Sequence, residues 1–162
     1  MKYLITYRLF KPEDVNDVAK VIAKTLRISN RKDYSHEYIE ADIKSMNAQF
    51  FIDKAKQTHF YVFCDADRSI GTGAIGSYWG STTEYSLFDI FILPNFQHQG
   101  IGRLIIETLE KDSYFLKATR VEIPASITAL PFYQHMGYMF KDGQHKPDKE
   151  QLYRLEKFPR AE

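Results

Sequence analysis

Two glycines two positions apart, Gly100 and Gly102, stand where a strand-like run gives way to a helix-like one. The segment around them reads Phe91-Ile92-Leu93-Pro94-Asn95-Phe96-Gln97-His98-Gln99-Gly100-Ile101-Gly102-Arg103. Pro94 stops a strand, a turn crosses over, and a helix starts at the glycines. Glycine carries no Cβ, so the main chain there can come close to a ligand. The first N–H groups of a helix have no internal acceptor and point outward as donors. Together with the helix dipole they suit a diphosphate. Arg103 and the side chains of Gln97 and Gln99 can add contacts. Two common phosphate-binding motifs fail on inspection. A P-loop needs Gly-Lys-Ser/Thr, but Arg103-Leu104 follows Gly102; a Rossmann fingerprint needs a third glycine where Ile105 stands. Taken alone, Gly-x-Gly at a helix start is equally compatible with close helix–strand packing.

Other reactive side chains offer less. Cys64 is the single cysteine, which rules out an internal disulfide and a multi-cysteine zinc site. It lies in the apolar run Tyr61-Val62-Phe63-Cys64 and reads as an inert core thiol. His36, His59, His98, His135 and His145 are scattered without metal-ligand spacing, so no metal is expected. Tyr78 and Trp79 can form an aromatic wall for a ligand or simply pack.

The elements that must position these groups follow from periodicity. Tyr3 to Leu9 reads as a strand, and Lys11-Pro12-Glu13-Asp14 opens a helix whose Val15, Val18, Ile22 and Leu26 share one face. Tyr34 to about Lys56 reads as one or two short helices with Ser35 as a cap. The period then changes to two. His59–Phe63, Ser69–Tyr78 and Tyr85–Leu93 are strands, the second rich in glycine and small residues. A helix from Gly100 to about Lys111, a strand Arg120–Ile123, a helix Thr128–Met136, a strand Gly137–Phe140, a loop Lys141–Lys149 and a strand Leu152–Phe158 complete the order. Three consecutive strands followed by alternating units imply a mixed α/β sheet with helices on both faces.

Composition sets the outer bounds. A chain of 162 residues with 44% hydrophobic and 27% charged residues fits one globular domain spanning 1–162. With 22 Lys+Arg against 21 Asp+Glu the chain is near neutral, which disfavours a dedicated nucleic-acid binder. Arg8 arrives too early for a signal-peptide apolar region, and no stretch approaches 18 apolar residues. A cytoplasmic protein without a membrane partner is therefore expected.

A second segment makes the first more specific. Gln97-x-x-Gly100-x-Gly102 behind Ile92-Leu93-Pro94 resembles the acetyl-CoA motif of the GNAT (Gcn5-related N-acetyltransferase) superfamily. Ala129-Leu130-Pro131-Phe132-Tyr133-Gln134-His135-Met136-Gly137-Tyr138 resembles the same family's later segment, in the expected order and separation. The likeness covers nearly the whole chain. It implies a mostly antiparallel mixed sheet with a splayed parallel strand pair, and an N-acetyltransferase that moves acetyl from acetyl-CoA directly to a primary amine. Metal is not required.

By that resemblance, the amides of His98, Gln99, Gly100, Ile101, Gly102 and Arg103 cradle the CoA pyrophosphate, with Gln97 beside them. The pantetheine arm runs along Ile90, Phe91 and Ile92 as an added strand. Ser126 stands where Asn often bonds the cofactor. Tyr133 occupies the general-acid position and returns a proton to the leaving thiolate. An amine is mostly protonated at neutral pH, so a proton acceptor is needed. Many family members carry Glu where this chain has Ser86. Period-two alternation places Glu84, Ser86, Phe88 and Ile90 on one face, leaving Glu84 as one candidate and Glu122 on the later strand as another; parity demotes Asp89. No dedicated base is a third option. A small-molecule amine is the expected acceptor, with a protein N-terminus or Lys, or a non-catalytic acetyl-CoA sensor, as alternatives. A homodimer is a further expectation from the family.

Overall fold

Side chains of β-branched and aromatic residues alternate along Thr58–Asp65 (β2), so Phe60 and Val62 enter one core while Tyr61 and Phe63 enter another. The same two-sided burial runs through Arg68–Ser77 (β3) and Glu84–Ile92 (β4). In this computed structural model, which describes residues 4–160, these join Ile5–Leu9 (β1), Arg120–Ser126 (β5), Met139–Phe140 (β6) and Leu152–Lys157 (β7). The seven strands form one sheet in the order β1-β2-β3-β4-β5-β7-β6. All neighbours are antiparallel except β4 and β5. The expected Tyr3 start of β1 lies outside the described residues.

Helices Val15–Ser29 (α1), His36–Ser45 (α2) and Ala48–Gln57 (α3) cover one face. Val18, Ile22, Leu26, Ile39 and Phe51 meet Phe60, Val62 and Ala74 there. Ser35 caps α2 by accepting from the Tyr38 N–H at 3.1 Å, as the sequence suggests, and Asn47 caps α3 from the Phe50 N–H at 2.9 Å. Ile101–Glu110 (α4) and Ser113–Lys117 (α5) cover the other face with Ile101, Ile105, Ile106, Leu109 and Phe115. Leu130–His135 (α6) packs beside β5.

The mixed, mostly antiparallel sheet with helices on both faces is as the sequence implies. Two details differ. The strand expected at Gly137–Phe140 shortens to two residues, and α5 is an addition. Five residues are too few for periodicity to reveal, but Asp112 caps α5 by accepting from the Tyr114 N–H at 2.8 Å.

Candidate active site

β4 and β5 pair at only three positions, Glu84↔Arg120, Tyr85↔Val121 and Ser86↔Glu122. Beyond them β4 stays with β3 and β5 stays with β7, so the parallel strands part. Pro124, which has no N–H to offer a ladder, stands in β5 just past the last pair. β4 adds a bulge at the same level. Thr72 pairs with Phe91 and Ala74 with Phe88, so Asp89 and Ile90 together face Gly73. Asp89 adopts φ 51°, a left-handed conformation that Asp accepts more readily than most residues. The buried Thr72 hydroxyl donates to its carbonyl at 2.7 Å.

That bulge reverses the strand's parity. Leu87 and Ile90 pack into one core, whereas Phe88 and Phe91 pack into or against the other. The expectation that Glu84, Ser86, Phe88 and Ile90 share a face therefore fails at Ile90. Asp89, demoted on parity, instead lines the cavity in the wedge between the parting strands.

The cavity measures about 550 Å³, within the range of small-ligand sites. Ile90, Phe91 and Ile92 form one wall, and Ile123, Pro124 and Ser126 face them from β5. Gln97, His98, Gly100, Gly102 and Arg103 line one end. Among the described residues, the N–H groups from His98 to Arg103 find no backbone acceptor, while the Leu104 N–H already bonds the Gly100 carbonyl at 3.1 Å. Six main-chain donors thus cluster at the start of a ten-residue helix, where the dipole is positive.

The two glycines serve different ends. Gly100 is the α4 N-cap at φ 84°, a conformation glycine adopts without strain. Gly102 sits against α6, since a Cβ there would meet the Phe132 ring at 3.0 Å and Ile92 at 3.3 Å. The Gln97 side-chain amide is already occupied, donating to Ser29 Oγ and to the Ile92 carbonyl, each at 2.9 Å. It holds the turn between α1 and the end of β4. Gln99 donates to the Asn95 carbonyl at 2.9 Å and does not line the cavity. The Ile101 side chain is fully buried, so only its N–H can serve a ligand. Arg103 is exposed beside His135 at 3.4 Å.

Tyr133 lies on α6, 5% exposed, and lines the cavity from the side opposite β4. Burial pushes its phenol well above the ordinary tyrosine range, so it stays protonated at neutral pH and can act as a proton donor. Ser126 Oγ accepts from the Ala129 N–H at 3.1 Å, closing the turn into α6. Its hydroxyl proton remains available to the cavity it lines.

Glu84 and Glu122 do not line the cavity. Both belong to an ion cluster at the paired end of β4 and β5. Arg120 bonds Glu84 at 2.9 Å, Glu156 at 2.8 Å, and Glu122. Lys141 reaches Glu122 at 2.9 Å and Arg154 approaches it at 3.7 Å. Burial alone would lower Arg120, but its bonds to Glu156, Glu122 and Glu84 outweigh that and hold the guanidinium above its usual value. Glu122 is 3% exposed, and its carboxylate is already engaged by Arg120 and Lys141.

Two carboxylates that sequence reasoning did not select line the cavity instead: Asp42 from α2 and Asp89. Neither forms an ion pair among the described residues. Asp89 Oδ2 is sealed from solvent without a hydrogen-bond partner. Desolvation pushes Asp89 up to about 6, against a weaker downward pull from Lys54 and a further push from Asp42. Desolvation raises Asp42 as well. A signal existed, because glycines inside a strand such as Gly71 and Gly73 often mark a bulge or a close approach. Tyr34 and Tyr38, stacked at 4.7 Å, close one side of the cavity. Their hydroxyls donate to the carbonyls of Gln151 at 2.7 Å and Glu150 at 2.5 Å, and the Ile127 N–H donates to Tyr34 at 2.8 Å.

Among the described residues no helix is long and apolar enough to cross a membrane, and no three His, Cys, Asp or Glu side chains gather as a metal site. No curated protein matches the chain. Among solved structures, the PaiA N-acetyltransferase of Thermoplasma acidophilum, in complex with coenzyme A, superposes with TM-score 0.82 at 17% identity, covering 96% of this chain and 99% of that one. A GCN5-related N-acetyltransferase of Rhodopseudomonas palustris gives TM-score 0.79 at 18% identity, with 98% of both chains covered. Ard1 of Thermoplasma volcanium gives 0.69 at 15% identity, covering 95% and 97%. Residues 16–150 match the acetyltransferase (GNAT) domain, so the chain belongs to the GNAT acetyltransferases and is an acyltransferase that uses acetyl-CoA.

Proposed function

We propose that the protein transfers acetyl from acetyl-CoA to the primary amine of a small molecule. The observation that carries this reading is the run of N–H groups from His98 to Arg103 without a backbone acceptor, of which His98, Gly100, Gly102 and Arg103 belong to residues lining a cavity wedged between β4 and β5. A diphosphate fits those donors, with Arg103 as a supplementary cation. The part of β4 that has left β5, from Leu87 to Ile92, offers an open edge for the peptide-like pantetheine arm. Acetyl-CoA supplies the activated thioester; the chain supplies position and protons. Tyr133, held protonated by burial, gives its proton to the sulfur as the carbon–sulfur bond breaks.

A small acceptor is favoured over a protein chain by one observation. Tyr34 and Tyr38 tie the α1–α2 segment to residues 150 and 151, so the acceptor side is walled rather than open as a groove.

Calorimetry with acetyl-CoA, followed by CoA release over a panel of amines, tests the reading. Binding with turnover on at least one small amine is expected. Binding without turnover on every amine points to a sensor, and no binding overturns the assignment. Tyr133→Phe is expected to lower kcat about 100-fold or more while leaving acetyl-CoA affinity nearly unchanged.

A further inference from the structure

Resting on that reading, we infer that Asp89 is the proton acceptor for the attacking amine, and that Asp89 and Asp42 together make the acceptor arm a site for a cationic alkylamine. The bulge in β4 turns the Asp89 backbone to φ 51°, and Thr72 fixes its carbonyl. This places a carboxylate in the wall of the cavity beside Ile90, where the cofactor strand begins. Its Oδ2 is buried with no partner, a condition that folded proteins rarely leave without a use.

The surroundings select the ligand. An ionised carboxylate in a largely apolar cavity is costly until a cation or donor reaches it. The charged groups facing Asp89 are Lys54 from α3 and Asp42 from α2. Lys54 forms no ion pair with it, and its ammonium stands over the Phe88 ring at 4.2 Å and the Phe50 ring at 5.4 Å. The tyrosines at the rim, Tyr34 and Tyr38, are kept protonated by burial and carry no charge at neutral pH. An alkylammonium would supply the missing charge to both aspartates. An acceptor bearing its own carboxylate would meet two like charges.

Asp89 takes one proton from the ammonium and leaves a neutral amine. Its nitrogen attacks the acetyl carbonyl carbon, a carbon–nitrogen bond forms, and the carbon–sulfur bond breaks. Sulfur takes the Tyr133 proton, the second nitrogen proton refills the phenolate, and Asp89 releases its proton to solvent. The products are the N-alkyl acetamide, the CoA thiol and one proton. A carboxyl poised near 6 is ionised at neutral pH yet basic enough to accept that proton transiently.

Butylamine and glycine are the probes, with kcat and KM measured from pH 5 to 9. Wild type is expected to lose kcat below about pH 6 and to prefer butylamine over glycine at least tenfold in kcat/KM. Asp89→Asn should lower kcat at least 100-fold and abolish that acid-side fall, while calorimetric affinity for acetyl-CoA, which also reports folding, stays within about threefold. Asp89→Glu should recover part of the rate. Asp42→Asn should raise KM for butylamine about tenfold. An Asp89→Asn protein that keeps its kcat within threefold, or keeps the acid-side fall, overturns the assignment; so does a preference for glycine. If wild type binds no acetyl-CoA, the underlying acetyltransferase reading fails, and this inference with it.

Discussion

The two ends of β4 hold carboxylates of identical chemistry in opposite circumstances. At the paired end, Glu84 and Glu122 share Arg120, Lys141 and Arg154, and every acid meets a cation. At the splayed end, Asp89 and Asp42 face a cavity with no ion pair among the described residues. The strand thus separates carboxylates that hold the sheet from carboxylates that line the cavity. The divide falls where pairing with β5 stops, after Ser86↔Glu122. A carboxylate's place in a site is decided by who already answers its charge, and sequence position alone does not reveal that.

The hardest test of this contrast is Glu122→Ala. It leaves Arg120, Lys141 and Arg154 buried or half-buried with less compensation, and a loss of about 3–5 kcal/mol is expected, read by denaturant midpoint. A change below 1 kcal/mol would dissolve the distinction. Next comes Asp89→Asn, where stability should rise. A folded carboxyl near 6 holds its proton more tightly than an unfolded one near 3.8, so native stability falls as pH climbs between those values. Above pH 6 the native state carries a penalty on the order of 3 kcal/mol, which the Asn variant removes. Thermal melts at pH 4 and pH 7.5 should therefore diverge, with the gain confined to the higher pH.

Thr72→Val keeps the shape but strips the hydroxyl that bonds the Asp89 carbonyl at 2.7 Å. About 1 kcal/mol of stability should go, together with a measurable drop in kcat as the bulge loosens. The smallest effect belongs to Glu84→Gln. Its half-exposed pair with Arg120 is expected to contribute about 0–1 kcal/mol, and kcat should be unchanged. A collapse of kcat in that variant would return Glu84 to candidacy as the base.

Much of this molecule is legible because its signals are local. Gly100 at a strand-to-helix junction announces a left-handed cap and exposed donors, and Ser35 announces a helix start. Tyr133 is singled out in the sequence by its neighbours in the later motif, and it lines the cavity. Asp89 is not legible in the same way. The bulge depends on Gly73 and Thr72 from a different strand, and on α4 lying so close that a Gly73 Cβ would come within 2.8 Å of Ile105. Strict alternation assumes an unbroken ladder, and one extra residue reverses every inference downstream of it. The surroundings of Glu122 are hidden for a related reason, because Lys141 and Arg154 reach it from distant parts of the chain.

The tyrosine strap along one side of the cavity carries an evolutionary implication. Tyr34 and Tyr38 grip main-chain oxygens at residues 151 and 150, and such oxygens exist whatever side chain the position bears. Substitution at Glu150 or Gln151 can therefore proceed while the fastening beside the cavity endures. A scaffold clasped in this manner tolerates point mutation along the clasp without first relearning how to close.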